Sequence, residues 1–279
     1  IYGIHPKAKG WGKMGNVRCC DNWANRSGTA GGLTMKNPIY VPKGRAGEYG
    51  DYALNIYTGC PHRCYYCFAP SVLRMDRDRF HSDVRPRDGI VEAVAAQLAS
   101  GGIRDKTIHL CFACDPYPRG YDTTATREII KAIKDSGNHV QLLSKNPDER
   151  DFDLLDESDW VGITLDGEDN AEHAMHPLSR LVVMEQAWLR GINTWVSFEP
   201  VLNADRVLFY LQKALNEGTR SNPMMGNGPH ADRVKIGKLN YHPSSIDWAA
   251  FGREVETICK ARGLDYYIKS DLRKDMQEV

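Results

Sequence analysis

From about residue 51 onward, short apolar runs alternate with amphipathic stretches, and this pattern most narrows the folds open to the chain. The spacing predicts strands at 52–58, 107–112, 139–144, 160–165, 194–199 and 233–238, with a closing strand at 265–268. Between them it predicts helices at 87–100, 123–136, 178–190, 204–216 and 246–262, and a short one around 152–155. In the 123–136 stretch Ile129, Ile130 and Ile133 share one face, and Gly137 ends it. Six strand–helix units in strict alternation imply a parallel sheet covered by helices. Right-handed crossovers curl such a sheet toward a barrel. Eight units close one. Six predict an α/β fold built as an open, partial (β/α)6 barrel over residues 51–279.

Residues 1–50 have no such period and many glycines and prolines, which predicts an irregular extension ahead of the barrel. Formal charge over the whole chain is zero, yet residues 1–47 hold eight Lys and Arg against Asp21 alone, a local charge of +7. Trp11, Trp23, Tyr2 and Tyr40 are interleaved with those cations, a mixture suited to phosphates and stacked bases. The bland alternative is a solvated arm lying on the acidic body of its own domain. No apolar stretch reaches membrane-spanning length, and the first twenty residues lack the apolar core of a signal peptide, so a cytoplasmic protein without membrane contact is expected. Ile1 in place of Met points to an upstream stretch outside this numbering. The 218–230 stretch, rich in Gly, Asn and Pro, is a connection with room to serve as a lid.

The eight cysteines are not spread like a disulfide framework. Three of them, Cys60, Cys64 and Cys67, stand on one loop as C-x3-C-x2-C, directly after the first strand. Three thiolates on one loop can hold three corners of a cubane iron–sulfur cluster and leave the fourth iron open to a ligand. The alternative metal is zinc completed by His62, in a zinc-stabilised nucleic-acid-binding protein without catalysis. Against zinc, His62 lies inside the cysteine loop, where folding back to complete a tetrahedron is awkward. Other chemistry-bearing residues also follow strands: Asp115-Pro116-Tyr117, Ser144-Lys145 and Ile163-Thr164-Leu165-Asp166. In parallel barrels active sites gather at that end.

The cysteine loop with Tyr66 before its last cysteine resembles that of the radical S-adenosylmethionine (radical SAM) enzymes. The wider run Asn55-Ile56-Tyr57-Thr58-Gly59-Cys60, with Phe68-Ala69-Pro70 after the loop and the three downstream motifs, is similar to the spore photoproduct lyase-like branch. The resemblance covers roughly residues 45–270 and implies the same partial barrel. It also implies a 4Fe-4S cluster on Cys60, Cys64 and Cys67 with S-adenosylmethionine as cofactor. One-electron cleavage of that cofactor gives a 5′-deoxyadenosyl radical that abstracts hydrogen from an organic substrate. An electron donor such as flavodoxin or ferredoxin follows, as does a lyase or isomerase reaction on DNA or a modified nucleoside. A peptide or small metabolite is the alternative substrate.

Under the resemblance Tyr66 packs near the adenine, or is a plain core aromatic. Asp115 accepts a hydrogen bond from the cofactor's ammonium, or is a turn residue before proline. Lys145 pairs with the cofactor carboxylate. Ser144 and Thr164 hydrogen-bond ribose or carboxylate, or cap helices. Glu199, Lys238 and Asn240 are further polar candidates for cofactor or substrate. Cys114, where the family has Thr, is a candidate catalytic hydrogen-atom donor, or a small buried residue. A regular strand would turn Cys111 and Cys114 to opposite faces. Cys19 and Cys20 are weak candidates for a metal or substrate pocket.

Overall fold

The computed structural model describes residues 37–168, 173–215 and 230–277. Cys19, Cys20, the aromatic residues of the basic arm other than Tyr40 and most of the 218–230 connection lie outside the described residues. Seven strands, β1 (Tyr52–Leu54), β2 (Thr107–Leu110), β3 (His139–Ser144), β4 (Trp160–Thr164), β5 (Asn193–Phe198), β6 (Arg233–Ile236) and β7 (Asp265–Ile268), form one sheet. Every neighbouring pair is parallel and the order is sequential. The partial barrel expected from the alternation is present, with β1 and β7 as its two edges.

Short helices α1 (Ala69–Leu73) and α2 (Arg77–Ser82) follow the cysteine loop. Crossovers carry α3 (Ile90–Ala99), α4 (Thr124–Asp135), α5 (Pro177–Leu189), α6 (Ala204–Ala214) and α7 (Trp248–Ala261), and α8 (Ser270–Gln277) ends the described chain. The sequence places Ile108, Leu110, Val140, Leu142, Val161 and Ile163 on the helix-facing side of their strands. They pack under Val94, Leu98, Ile129 and Ile133, or under Leu181 and Met184, in two contiguous cores. Full burial of each such aliphatic side chain contributes about 1.5–3 kcal/mol, so this face fixes the register.

Two expected elements are shorter than their apolar runs. β1 stops at Leu54 because Asn55 turns its side-chain oxygen onto the backbone N–H of Phe112 and Ala113, at 2.8 and 2.7 Å. Ile56 and Tyr57 are apolar because they are buried in the loop, not in the sheet. The 152–155 stretch is a 3-10 turn spanning Glu149–Leu154 rather than an α-helix.

The opposite face of the sheet is polar and aromatic. His109, Gln141, Trp195, Ser197 and Lys235 look into the lumen, and the chain fills that space itself. A 3-10 turn at Gly44–Glu48 leads Tyr49 inside, where its ring meets His109, Phe112 and Trp195 at centroid distances of 5.4, 5.5 and 5.9 Å. The ammonium groups of Lys235 and Lys269 each lie 4.7 Å from the Tyr49 ring, a cation–π arrangement. The Tyr49 hydroxyl donates to Glu199 Oε2 at 2.6 Å, and Lys269 Nζ donates to the same oxygen at 2.7 Å. Gln141 Nε2 donates to the Tyr49 carbonyl, and Lys235 Nζ to that of Glu48. Gly162 is required by this packing: a Cβ there would lie 2.2 Å from Trp195 Nε1, which donates to the Leu142 carbonyl. The described part of the 1–50 segment therefore spans the gap between β1 and β7, with Arg45 paired to Asp271 and Ser270 donating to Glu48.

Candidate functional site

The Cys60–Cys67 loop crosses the C-terminal ends of the strands and is held by its own carbonyl groups. Arg77 of α2 donates to the carbonyl oxygens of Cys64 and Cys67, and His81 Nδ1 bonds that of Cys60 at 2.7 Å. Gly59 is needed just before the loop, since a Cβ there would lie 2.1 Å from the Phe80 carbonyl. The three cysteines are partly exposed and unpaired by disulfides. The sulfurs of Cys60 and Cys67 accept backbone N–H groups from His62 and Ala69.

Burial pushes the Cys60 thiol well above its ordinary pKa, with Asp115 and the other two sulfurs adding to it. Burial likewise moves Cys67 up to about 11. Three sulfurs held this way repel one another as thiolates and gain from a cationic group among them. With backbone N–H groups already aimed at two sulfurs, the donor set fits an iron–sulfur cluster. His62, the candidate fourth ligand of a zinc site, lies in the wall beside the loop with its Nδ1 facing Asp115 Oδ2 at 3.4 Å.

Beside the loop a cavity of about 250 Å3 is walled by His62, Cys64, Lys145, Asp166, Glu168 and Arg180. Lys145 leaves the end of β3 and Asp166 follows β4, so adjacent strands bring a cation and an anion together without long side-chain excursions. Lys145 Nζ pairs with Asp166 and with the Tyr66 hydroxyl, and lies 3.5 Å from Cys64 Sγ. The Tyr66 hydroxyl donates to Asp166. Burial works to discharge Lys145, but Asp166 and Cys64 outweigh it and its pKa is raised. Burial works to raise that of Asp166, but the Lys145 charge and hydrogen bonds from Lys145 and Tyr66 hold it below the usual range. Both shifts keep the pair ionised. Arg180 of α5 is 2% exposed and donates to the carbonyls of Thr164 and Met175, each at 2.7 Å. His62 Nε2 is buried in this wall without a hydrogen-bond partner, and burial lowers the ring's pKa, keeping that nitrogen a free acceptor. An orphaned acceptor beside an ionised pair suits a polar, charged cofactor such as a zwitterionic amino acid group.

The structure brings Cys64 and Lys145 into the wall of this cavity, with the Tyr66 hydroxyl bonded to Lys145 and Asp166 beside it. Asp115 and Ser144 stand one layer behind. Asp115 Oδ1 accepts from Ser144 Oγ at 2.6 Å and from Tyr117 N, and its Oδ2 accepts from Lys145 N at 2.8 Å. Both oxygens are engaged within the protein, so Asp115 braces β2 against β3. Thr164 meets the site through its carbonyl. Glu199 belongs to the Tyr49 network in the lumen. Lys238 pairs with Asp275 and Asn240 with Asp271, so these two side chains tie the loop after β6 to α8.

Cys114 is placed differently from the expectation of opposite faces. The strand ends at Leu110, Phe112 stacks on His109 inside at 4.3 Å, and Cys111 and Cys114 both turn to the helix side, sulfur to sulfur. That removes Cys114 from the lumen and from the cavity. Asp166 and Arg180 carry no clear mark of the site in the sequence. Asp166 closes a strand-end motif without a role of its own, and Arg180 has the pattern of surface charge on an amphipathic helix.

Comparison with known proteins bears on the family and the fold. The family model described as the radical SAM superfamily matches residues 54–197. An uncharacterised protein of Mycobacterium tuberculosis is 28% identical over 168 residues, 54% of this chain and 49% of its own length. One of Methanocaldococcus jannaschii is 25% identical over 177 residues, covering 60% of this chain and 64% of its own. The chain thus spans about half to two thirds of these relatives. Among solved structures, a spore photoproduct lyase variant superposes with a TM-score of 0.55 at 12% identity, over 79% of this chain and 77% of that one. A spore photoproduct lyase complexed with dinucleoside spore photoproduct gives 0.52 at 13%, over 78% and 63%. Streptococcus suis SuiB bound to S-adenosylmethionine gives 0.53 at 9%, over 78% and 47%. At such identities the likeness is one of fold.

Proposed function

The chain belongs to the radical SAM superfamily, and on that footing we propose that it abstracts a hydrogen atom from a nucleobase-containing substrate held at the rim of the barrel. The observation that carries the reading is the cavity between the three-cysteine loop and the Lys145–Asp166–Tyr66 cluster. Cofactors of the superfamily are a 4Fe-4S cluster and S-adenosylmethionine; when bound and reduced they supply the 5′-deoxyadenosyl radical that takes the hydrogen atom.

Cys60, Cys64 and Cys67 hold the cluster in this reading. Lys145 and Arg180 offer positive charge to the cofactor carboxylate, and Asp166 offers negative charge to its ammonium. His62 Nε2 accepts one further donor. Asp115, through Ser144 and the Lys145 backbone, keeps the Lys145 side chain on the cavity side. Support for a nucleobase comes from the rim. Tyr65, Phe68 and Tyr241 are each more than half exposed, with Arg63 in the cavity wall and Arg45 against the Tyr241 ring. Aromatic faces beside guanidinium groups stack bases and meet phosphates. The dinucleoside held by the spore photoproduct lyase of similar fold agrees with that chemistry. A lyase or isomerase outcome, and a flavodoxin or ferredoxin docking near Phe68 to deliver electrons, complete the proposal.

The test is anaerobic. Protein carrying its cluster, given dithionite and S-adenosylmethionine, should release 5′-deoxyadenosine, and Cys64→Ala should abolish this. Undiminished release from Cys64→Ala overturns the cluster assignment. With deuterated thymine-containing dinucleotides, label should appear in 5′-deoxyadenosine. Release without label from any nucleic-acid candidate removes the substrate class and leaves the cluster chemistry standing.

A further inference from the structure

The two thiols after β2 have no part in the cavity, yet their surroundings are specific. Cys111 is buried in the core that also holds Ile56, Tyr57, Ile90 and Ile129, while Cys114 is partly buried against that core. The Cys111 thiol donates to the Cys114 sulfur, which also accepts the backbone N–H groups of Ile56 and Tyr57. The Arg87 guanidinium lies close enough to act on both sulfurs. Burial and the Asp115 charge act to raise the Cys114 pKa, but the Cys111 thiol and the two amides outweigh them and draw it below its ordinary value. The turn is pre-shaped as well, since the Asn55 side chain holds the N–H groups of both intervening residues, Phe112 and Ala113.

We propose that Cys111 and Cys114 form a reversible disulfide couple, with Cys114 as the attacking thiol and Cys111 as the resolving one. The oxidant is a low-molecular-weight disulfide. The Cys114 thiolate attacks one of its sulfurs, forming a mixed disulfide and expelling one thiolate. Cys111 then gives up its proton and attacks the Cys114 sulfur, expelling the second thiolate and closing the Cys111–Cys114 bond. Two protein thiols are oxidised and one small disulfide is reduced to two thiols. The next residue in the chain is Asp115, so closing the bond bears on the brace that holds Ser144 and Lys145.

The test uses the protein with its cluster, equilibrated anaerobically with mixtures of reduced and oxidised glutathione, acid-quenched, alkylated and digested with trypsin. The fragment 107–119 carries both cysteines and no other. At an excess of oxidised glutathione more than half of it should be unalkylated and lighter by two hydrogens, and dithiothreitol should restore full alkylation. Cys111→Ser should leave glutathione fixed on Cys114, whereas Cys114→Ser should leave Cys111 alkylated. Two alkylated cysteines in the wild-type fragment at equilibrium overturn the proposal without recourse to any variant. S-adenosylmethionine cleavage is not part of the readout, so this result stands apart from the assignment of the cavity.

Discussion

Replacing Asp166 by asparagine keeps the shape of the side chain and deletes its charge. Its side chain is 1% exposed and that of its partner Lys145 is 13% exposed, so the remaining ammonium cannot simply return to water. Removing one member of a buried pair costs about 3–5 kcal/mol, because the other charge is left uncompensated. Lys145 keeps its approach to Cys64 Sγ, and Arg180 keeps two carbonyls, so the loss should fall at the lower end, about 3 kcal/mol. For a chain of 279 residues that is a fall in Tm of about 5 °C. Urea and thermal unfolding of the cluster-free protein, followed by far-UV circular dichroism, measure both. The carboxyl is depressed in the folded state, so its contribution is present above its unfolded pKa and disappears as pH falls through the folded value. The gap between wild type and variant should therefore narrow in acid. Adding Lys145→Met should recover part of the loss by removing the stranded charge. A loss below about 1 kcal/mol, of the size expected for an exposed pair, with no narrowing in acid, would refute the reasoning.

Three further outcomes follow from the lumen. Gly162→Ala should cost about 1–3 kcal/mol in urea unfolding, since the new methyl group must displace the Trp195 ring or the Leu142 carbonyl. Glu199→Gln removes the carboxylate that holds both Tyr49 and Lys269; trypsin should then cut at Lys43 or Arg45 several times faster than in wild type. Burial, reinforced by Arg233 and Lys269, lowers Lys235 to about 8. Its proton leaves the folded state before the unfolded one, so stability rises with pH in that window. Relative to Lys235→Met, wild type should gain about 2 kcal/mol between pH 7 and pH 9.5.

The outer face of the sheet was legible because its residues obey one rule. Ile108, Leu110, Val140 and Leu142 must be apolar to meet the helices, and that requirement writes a period into the chain. The lumen obeys no such rule: His109, Gln141 and Lys235 are polar, and their partner Tyr49 comes from a glycine-rich stretch that carries no period. Strand ends blurred where a buried loop is as apolar as a strand, as with Ile56 and Tyr57. In the site, Tyr66 and Lys145 were visible because parallel strands deliver whatever follows them to one end of the barrel. Asp115 was visible for the same reason, but its role depends on what its two oxygens touch. Arg180 was hidden because burial of a helix charge is decided by the loop that folds over it.

Tyr49 also has a consequence for the scale of what the protein can handle. With an aromatic stopper in its throat, the barrel keeps, among the described residues, a cavity at its brim beside the cysteine loop. Chemistry carried out at a threshold does not require the target to be swallowed. A reactive unit embedded in a long polymer can be presented there while the rest of the strand stays outside.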